Sequence, residues 1–175
     1  MKDVIRQLSV LVAAIVMIAA NVLANALPLN GQTTGSISDS FPVYFVPAGY
    51  VFSIWGLIYL GVITYVVYQL LPSQRSNPLH RRIGYLFVAG SAANVAWIFL
   101  WHYEQFILTL VAMLILLVSL TAIYGRLQAS PPSGGIAERL AVRLPFSIYL
   151  GWITVATIAN VTVVLDDLRW DGWGV

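Results

Sequence analysis

The residues in this chain that could best bind a ligand or take part in chemistry are amides and aromatic rings inside long apolar runs. They recur at spacings of three, four, seven and eight, which place each set in one stripe along a helix. The three stripes are Trp55 with Tyr59, Asn94 with Trp97 and Trp101, and Trp152 with Ala156 and Asn160. Stripes that face one another would line an interior with indole, phenol and amide groups. Such an interior suits a large, flat, mostly apolar ligand with a few polar atoms.

Each of these residue types also has a purely structural interpretation. A buried Asn must find a hydrogen-bond partner, so Asn21, Asn25, Asn94 and Asn160 could simply join helices to one another. A Trp near the end of a membrane helix is typical of the interfacial aromatic belt. That interpretation suffices for Trp101, and it places Trp170 and Trp173 just outside the membrane.

Five long runs without any Asp, Glu, Lys, Arg or His carry these stripes. The runs are residues 8–27, 50–71, 84–101, 106–124 and 144–165. Each is about as long as a helix needs to cross roughly 30 Å of hydrocarbon. The chain is 59% hydrophobic and 9% charged. The sequence therefore predicts an all-α membrane protein, a single bundle of five transmembrane helices whose function depends on uncharged side chains within the lipid bilayer.

The basic residues indicate how the bundle is oriented. Eight of the nine Lys and Arg flank one membrane face: Lys2, Arg6, Arg75, Arg81, Arg82, Arg126, Arg139 and Arg143. The positive-inside rule places that face, with the N-terminus, in the cytoplasm and the C-terminus outside. We expect the bacterial inner membrane. Topology accounts for the sequence pI of about 9.0, so a nucleic-acid partner is not predicted.

The first run has two interpretations. A basic start, an apolar stretch and an Ala24-Asn25-Ala26 end also describe a secretory signal peptide. The stretch is long for a signal core and carries two Asn, which favours a retained transmembrane helix. Cysteine is absent, so disulfides and thiol chemistry are excluded.

The longest connection, residues 28–49, is expected outside the membrane as a lid over a pocket. Its first half is rich in Gly, Ser and Thr and is predicted to be flexible, whereas its Pro- and aromatic-rich second half should pack against the membrane face. His80 and His102 fall in the predicted connections, so both are expected on the surface and no metal site is predicted. With no acid–base pair inside the runs, no catalytic residue is assigned.

Three segments resemble the motifs of one membrane family, in its order and at nearly its spacing. Residues 47–59, which read Pro-Ala-Gly-Tyr-Val-Phe-Ser-Ile-Trp-Gly-Leu-Ile-Tyr, resemble its Pro…Val-Trp-x-x-Leu-Tyr motif. Residues 93–97 resemble its Leu-Asn-x-x-Trp, and residues 144–160 resemble its Pro-Tyr-x-x-Trp-x-x-x-Ala-Thr-x-x-Asn. The family is that of the translocator proteins, whose bacterial members are called tryptophan-rich sensory proteins.

The resemblance implies a five-helix bundle, commonly a homodimer, that binds a tetrapyrrole such as a porphyrin or haem, or a sterol-like molecule. The pocket would lie near one end of the bundle, under the first loop. By motif position Trp55, Asn94, Trp97, Trp152 and Ala156 would line it, and Tyr59 and Asn160 of the same stripes complete the predicted ligand site. No cofactor is required, and the resemblance leaves a catalytic role open.

The favoured function is thus a tetrapyrrole-binding membrane receptor or carrier. The alternative is a non-catalytic accessory subunit of a larger membrane complex, with a solid interior and no ligand pocket. The Asn residues would then only form hydrogen bonds between helices, and the Trp residues would only hold the helices at the membrane interface. A proton-coupled transporter is disfavoured, because it would need ionisable groups within the membrane. The final residues, 169–175, resemble a loop that leads onward, so we also expect the core of a longer chain.

Overall fold

The computed structural model describes residues 1–43, 45, 47, 49–132 and 134–172. This part of the chain folds into helices joined by short connections. The α-helices are α1 (Lys2–Ala26), α2 (Thr34–Asp39), α3 (Ile54–Leu70), α4 (Pro78–His102), α5 (Phe106–Gln128), α6 (Gly135–Glu138) and α7 (Leu144–Asp167). Within these described residues, five helical segments are long and apolar enough to span a membrane, which confirms the predicted bundle of five transmembrane helices.

The long helices do not follow the apolar runs residue by residue. A 3-10 turn, Gly49–Ser53, precedes α3, whereas α4 extends beyond its run at both ends. The cause at the start of α4 is local: the Asn77 side chain accepts a hydrogen bond from the Leu79 amide at 2.9 Å, and Pro78 occupies the first turn. This combination of an Asn cap and an early Pro fixes a helix start.

The extension of α4 buries both histidines, so the prediction of surface histidines was wrong. His80 and His102 are each 0% exposed. The His80 ring packs against Tyr65 and Tyr68 of α3, with ring centroids 5.9 and 5.8 Å away. The His102 Nε2 lies 3.2 Å from the Thr34 hydroxyl. Both rings are on the inward face of a helix rather than in loops.

The five long helices form a closed ring in which α1 contacts α4, α4 contacts α5, α5 contacts α7, α7 contacts α3, and α3 returns to α1. Each helix turns a buried stripe inward. In α1 the stripe recurs every three or four residues and comprises Val10, Ala14, Met17, Asn21 and Ala24. The opposite face exposes large apolar side chains such as Val12, Ile15 and Leu23. Such an apolar surface would promote aggregation in water, and it is the surface expected to contact lipid tails.

The two ends of the bundle differ in chemistry. We call the end that carries the N-terminus and the 71–77 connection the basic end, and the opposite end, where α2 lies, the first-loop end. At the basic end, Arg143 bonds the carbonyls of Leu127 and Ser130, each at 2.6 Å, and forms a 2.8 Å ion pair with Glu138. Glu138 and Arg6 are 1% and 2% exposed. The bundle therefore buries charged side chains at this end. The sequence analysis did not predict this burial, because these residues lie outside the five apolar runs.

Candidate functional site

The first-loop end is closed by a short helix, α2, which the sequence analysis did not predict. A reciprocal capping box holds the start of α2. The Ser36 amide donates to the Thr33 hydroxyl oxygen at 3.1 Å, and the Thr33 amide donates to the Ser36 hydroxyl oxygen at 2.9 Å. This pairing satisfies two backbone donors that a helix start otherwise leaves unpaired.

Thr34 attaches α2 to the ends of α1 and α4. Its amide donates to the Asn25 side-chain oxygen at 3.1 Å, and its carbonyl accepts the Trp101 indole N–H at 3.2 Å. Its hydroxyl oxygen lies 3.2 Å from the His102 Nε2. The Asn30 side chain donates a hydrogen bond to the His102 carbonyl at 3.0 Å. Helix α2 therefore covers the bundle end where a lid is predicted. Its opening stays a prediction.

An aromatic cluster lies directly beneath α2. The rings come from α3, α4, α7 and the 3-10 turn before α3, and they are Phe52, Trp55, Trp97, Trp101 and Trp152. Trp97 stacks on Trp101 with centroids 5.2 Å apart, and Trp152 meets Phe52 and Trp55 edge to face at 6.1 and 6.3 Å. These are favourable aromatic geometries. Trp101 is only 4% exposed, so its assignment to the interfacial belt was wrong.

The space beside Trp152 is small. This cavity offers about 40 Å³, and its walls include Trp55, Trp97, Trp152, Ala156 and Asn160. That volume holds a few water molecules. It is far below the 300–1,000 Å³ of ordinary ligand pockets. The Trp152 indole nitrogen is buried here and has no hydrogen-bond partner among the described residues, so an acceptor that entered this space would meet an unused donor.

A larger cavity adjoins the first and shares the walls formed by Thr34, Phe52, Trp55 and Trp97. It offers about 520 Å³ between α1, α3 and α4, which lies within the range of ligand pockets. Its further lining residues are Asn21, Val22, Asn25, Ala26, Gly35, Tyr59 and Ile98. The stacked pair Trp55 and Tyr59, with centroids 5.6 Å apart, offers a flat aromatic surface on one side.

The buried amides join helices. Asn21 donates to the Asn94 side-chain oxygen at 2.6 Å, and Asn94 donates to the Tyr149 hydroxyl at 3.2 Å, which links α1, α4 and α7. Asn160 accepts the Trp97 indole N–H at 3.0 Å and donates to the Thr109 hydroxyl at 2.8 Å. The structural interpretation of Asn94 and Asn160 therefore agrees with their hydrogen bonds.

The predicted ligand residues divide between the two cavities. Trp55 and Trp97 line both, Tyr59 lines only the larger, and Trp152, Ala156 and Asn160 line only the smaller. Asn94 lines neither. Sequence reasoning missed the parts of the wall that come from the first loop and from α1, namely Thr34, Gly35, Phe52, Val22 and Ala26. Two signals were available: Asn21 and Asn25 marked the face of α1 that lines the larger cavity, and Trp101 continued the Trp97 stripe toward the smaller one.

A model described as TSPO-like protein matches residues 7–175. No curated protein and no solved structure matches the chain.

Proposed function

We propose that this chain, which belongs to the TSPO-like protein family, is a membrane receptor or carrier. Its ligand would be a large, flat, mostly apolar molecule such as a tetrapyrrole. Membership of this family confirms the resemblance found in the three sequence motifs. The observation that carries the proposal is the cavity of about 520 Å³ beneath α2, with an aromatic wall and a few amides. A mostly apolar cavity with few polar groups is typical of small-molecule sites.

We place the ligand in the larger cavity rather than beside Ala156. The flat face of the macrocycle would lie against Trp55 and Trp97, which line both cavities. The orphan Trp152 N–H and the small side chain of Ala156 would then face its edge. Apolar burial and stacking supply most of the affinity in this arrangement.

The polar substituents of a tetrapyrrole would point toward the first-loop end. No Lys or Arg is among the described residues that line either cavity, so carboxylates would have no cation beside them and would remain near water. Affinity should accordingly change little with salt concentration, since screening acts on exposed charge pairs.

The accessory-subunit alternative requires an interior packed solid with side chains. The larger cavity favours the receptor proposal instead, because its volume of about 520 Å³ lies within the range of ligand pockets. The homodimer implied by the family resemblance stays a prediction.

Filling the larger cavity should weaken ligand binding. We expect Val22→Trp to lower porphyrin affinity at least fivefold, because Val22 lines this cavity and an indole there competes for its volume. Leu23→Trp is the matched control, since Leu23 is similarly exposed, at 53% against 48%, and does not line the cavity. The measurement is an absorbance titration of the purified variants in detergent. Equal affinities for the two variants would place the ligand elsewhere.

We also propose that the basic end faces the cytoplasm, because eight of the nine Lys and Arg flank it. The chain has no cysteine, so single-cysteine variants need no altered background. Asp39 and Ser76 are exposed residues at opposite ends. In intact cells an impermeant thiol reagent should label Asp39→Cys, and it should label Ser76→Cys only after lysis. Labelling of both in intact cells would contradict the arrangement of five spans.

A further inference from the structure

The outer face of α1 and α4 carries a charged crevice at the basic end, on the opposite side of the membrane from the aromatic cavities. The crevice offers about 680 Å³. It is lined by Met1, Lys2, Asp3, Ile5, Arg6, Arg81 and Tyr85. Three cations and one carboxylate give these side chains a net charge of +2. Tyr85 is 55% exposed, and such a ring is typical of the membrane–water interface. The crevice therefore combines positive charge with an interfacial position.

An apolar groove of about 670 Å³ joins the crevice at Ile5 and runs along the seam between α1 and α4. Leu8, Val12, Val16, Val88 and Val95 form its apolar sides, and Ser9, Ala13, Ser91 and Ala92 are the small residues along it. From Ile5 to Val16 a helix rises about 16 Å. That is roughly half of the 30 Å hydrocarbon core. The groove therefore matches one leaflet of the membrane in length.

The cations of the crevice are only partly neutralised by the protein. Arg81 is held by Asp3 through a pair of hydrogen bonds at 2.7 and 2.5 Å, yet its side chain remains 54% exposed. Arg6 bonds the Gln69 side-chain oxygen and the Arg75 carbonyl, at 3.3 and 3.0 Å. Among the described residues no carboxylate forms an ion pair with Arg6, and its Nε has no partner. The one carboxylate of the crevice, Asp3, forms its ion pair with Arg81 and not with Arg6, so the three cations keep an excess of positive charge that favours an anion.

We propose that the crevice and the groove together bind an anionic glycerophospholipid. Its phosphate lies between Lys2 and Arg81 above the buried charge of Arg6, and one acyl chain lies in the groove. Charge complementarity selects the headgroup, and the one-leaflet length of the groove selects a lipid tail over a helix that spans the whole membrane. The site is independent of the tetrapyrrole proposal, because it shares no lining residue with the aromatic cavities.

Lipid retention by the purified full chain tests the proposal. In detergent, native mass spectrometry should show that phosphatidylglycerol is retained over phosphatidylcholine with the same acyl chains. Lys2→Gln should weaken retention about fivefold, which corresponds to about 1 kcal/mol for one basic side chain near the headgroup. Asp3→Asn should strengthen it, because a carboxylate is removed from the crevice. Arg139→Gln is the matched control, since Arg139 is an exposed cation at the same end and outside the crevice. Equal losses in Lys2→Gln and Arg139→Gln would overturn the site in favour of a diffuse surface field.

The groove is tested separately with Ala13→Phe, which places a ring among its small residues. This variant should lose phosphatidylglycerol about as strongly as Lys2→Gln, and soluble glycerol phosphate should fail to compete for the native site. Competition by glycerol phosphate at equal concentration would show a free-phosphate site and overturn the lipid assignment. Unchanged lipid retention in Ala13→Phe, with a shift from dimer to monomer, would show that a second copy occupies the groove and would also overturn it.

Discussion

The Trp55→Ala variant should bind porphyrin at least tenfold more weakly than the native chain. Trp55 lines both cavities and contacts Tyr59, Tyr149 and Trp152 through its ring. Aromatic pairs add about 0.5–1.5 kcal/mol beyond burial, and burial of a large apolar side chain contributes about 1.5–3 kcal/mol. A loss of about 1.4 kcal/mol is already tenfold in affinity, so the expected change is well within reach of an absorbance titration.

The matched control for this prediction is Trp170→Ala. Trp170 is 49% exposed, follows the end of α7 and lines neither cavity, so its loss should leave porphyrin affinity unchanged. Absorbance of the porphyrin is the suitable signal, because each variant also removes one fluorescent indole. If both variants bind as tightly as the native chain, Trp55 is not a wall of the ligand site.

The Glu138→Gln variant should lose about 3–5 kcal/mol in the free energy of unfolding. Glu138 is 1% exposed and pairs with Arg143, which also holds the carbonyls of Leu127 and Ser130. Removal of one partner from a buried ion pair leaves an uncompensated charge, and that loss is typically of this size. The measurement is a denaturant titration in mixed micelles, followed by circular dichroism.

Asp3→Asn provides the matched comparison, because it removes one carboxylate from the exposed pair with Arg81. Exposed pairs contribute about 0–1 kcal/mol, so this variant should unfold almost like the native chain. Similar losses in the two variants would mean that burial of Glu138 does not strengthen its pairing. In that case the connection between α5 and α7 would be held chiefly by its other contacts.

The five spans could be predicted from the sequence because the membrane imposes a simple physical rule. A segment about 20 residues long without charge must cross the hydrocarbon as a helix, whatever its partners are. The stripes of Trp55, Trp97 and Trp152 could be predicted for the same reason, since helical spacing alone places them on inward faces. These features depend on residues that are close in the chain.

The lid and the buried histidines depend on contacts between distant residues. Thr34 meets Trp101 and His102, which are 67 and 68 positions away, and no local pattern encodes that contact. A polar Gly- and Thr-rich segment therefore looked flexible, although the Thr33–Ser36 capping box was present in the sequence. The extension of α4 also had a local signal in Asn77-Pro78, and recognition of it would have placed His80 in a helix.

The choice of cavity could not be predicted from residue types. Ala156 is small, which suggested free space beside Trp152, yet Phe52 and Met113 also line that space and leave only about 40 Å³. The larger volume depends on how α1 and α3 separate beneath α2, and therefore on backbone positions. The sequence alone identified the aromatic wall. It did not show that the larger free volume lies on the α1 and α3 side of that wall rather than beside Trp152.

A structure of the chain with a porphyrin bound would test the central claim most directly. We predict that the macrocycle lies beneath α2 between α1, α3 and α4, with its face against Trp55 and Trp97 and its carboxylates toward the first-loop end. A macrocycle bound among the arginines of the basic end, or only on the lipid-facing surface, would contradict the account.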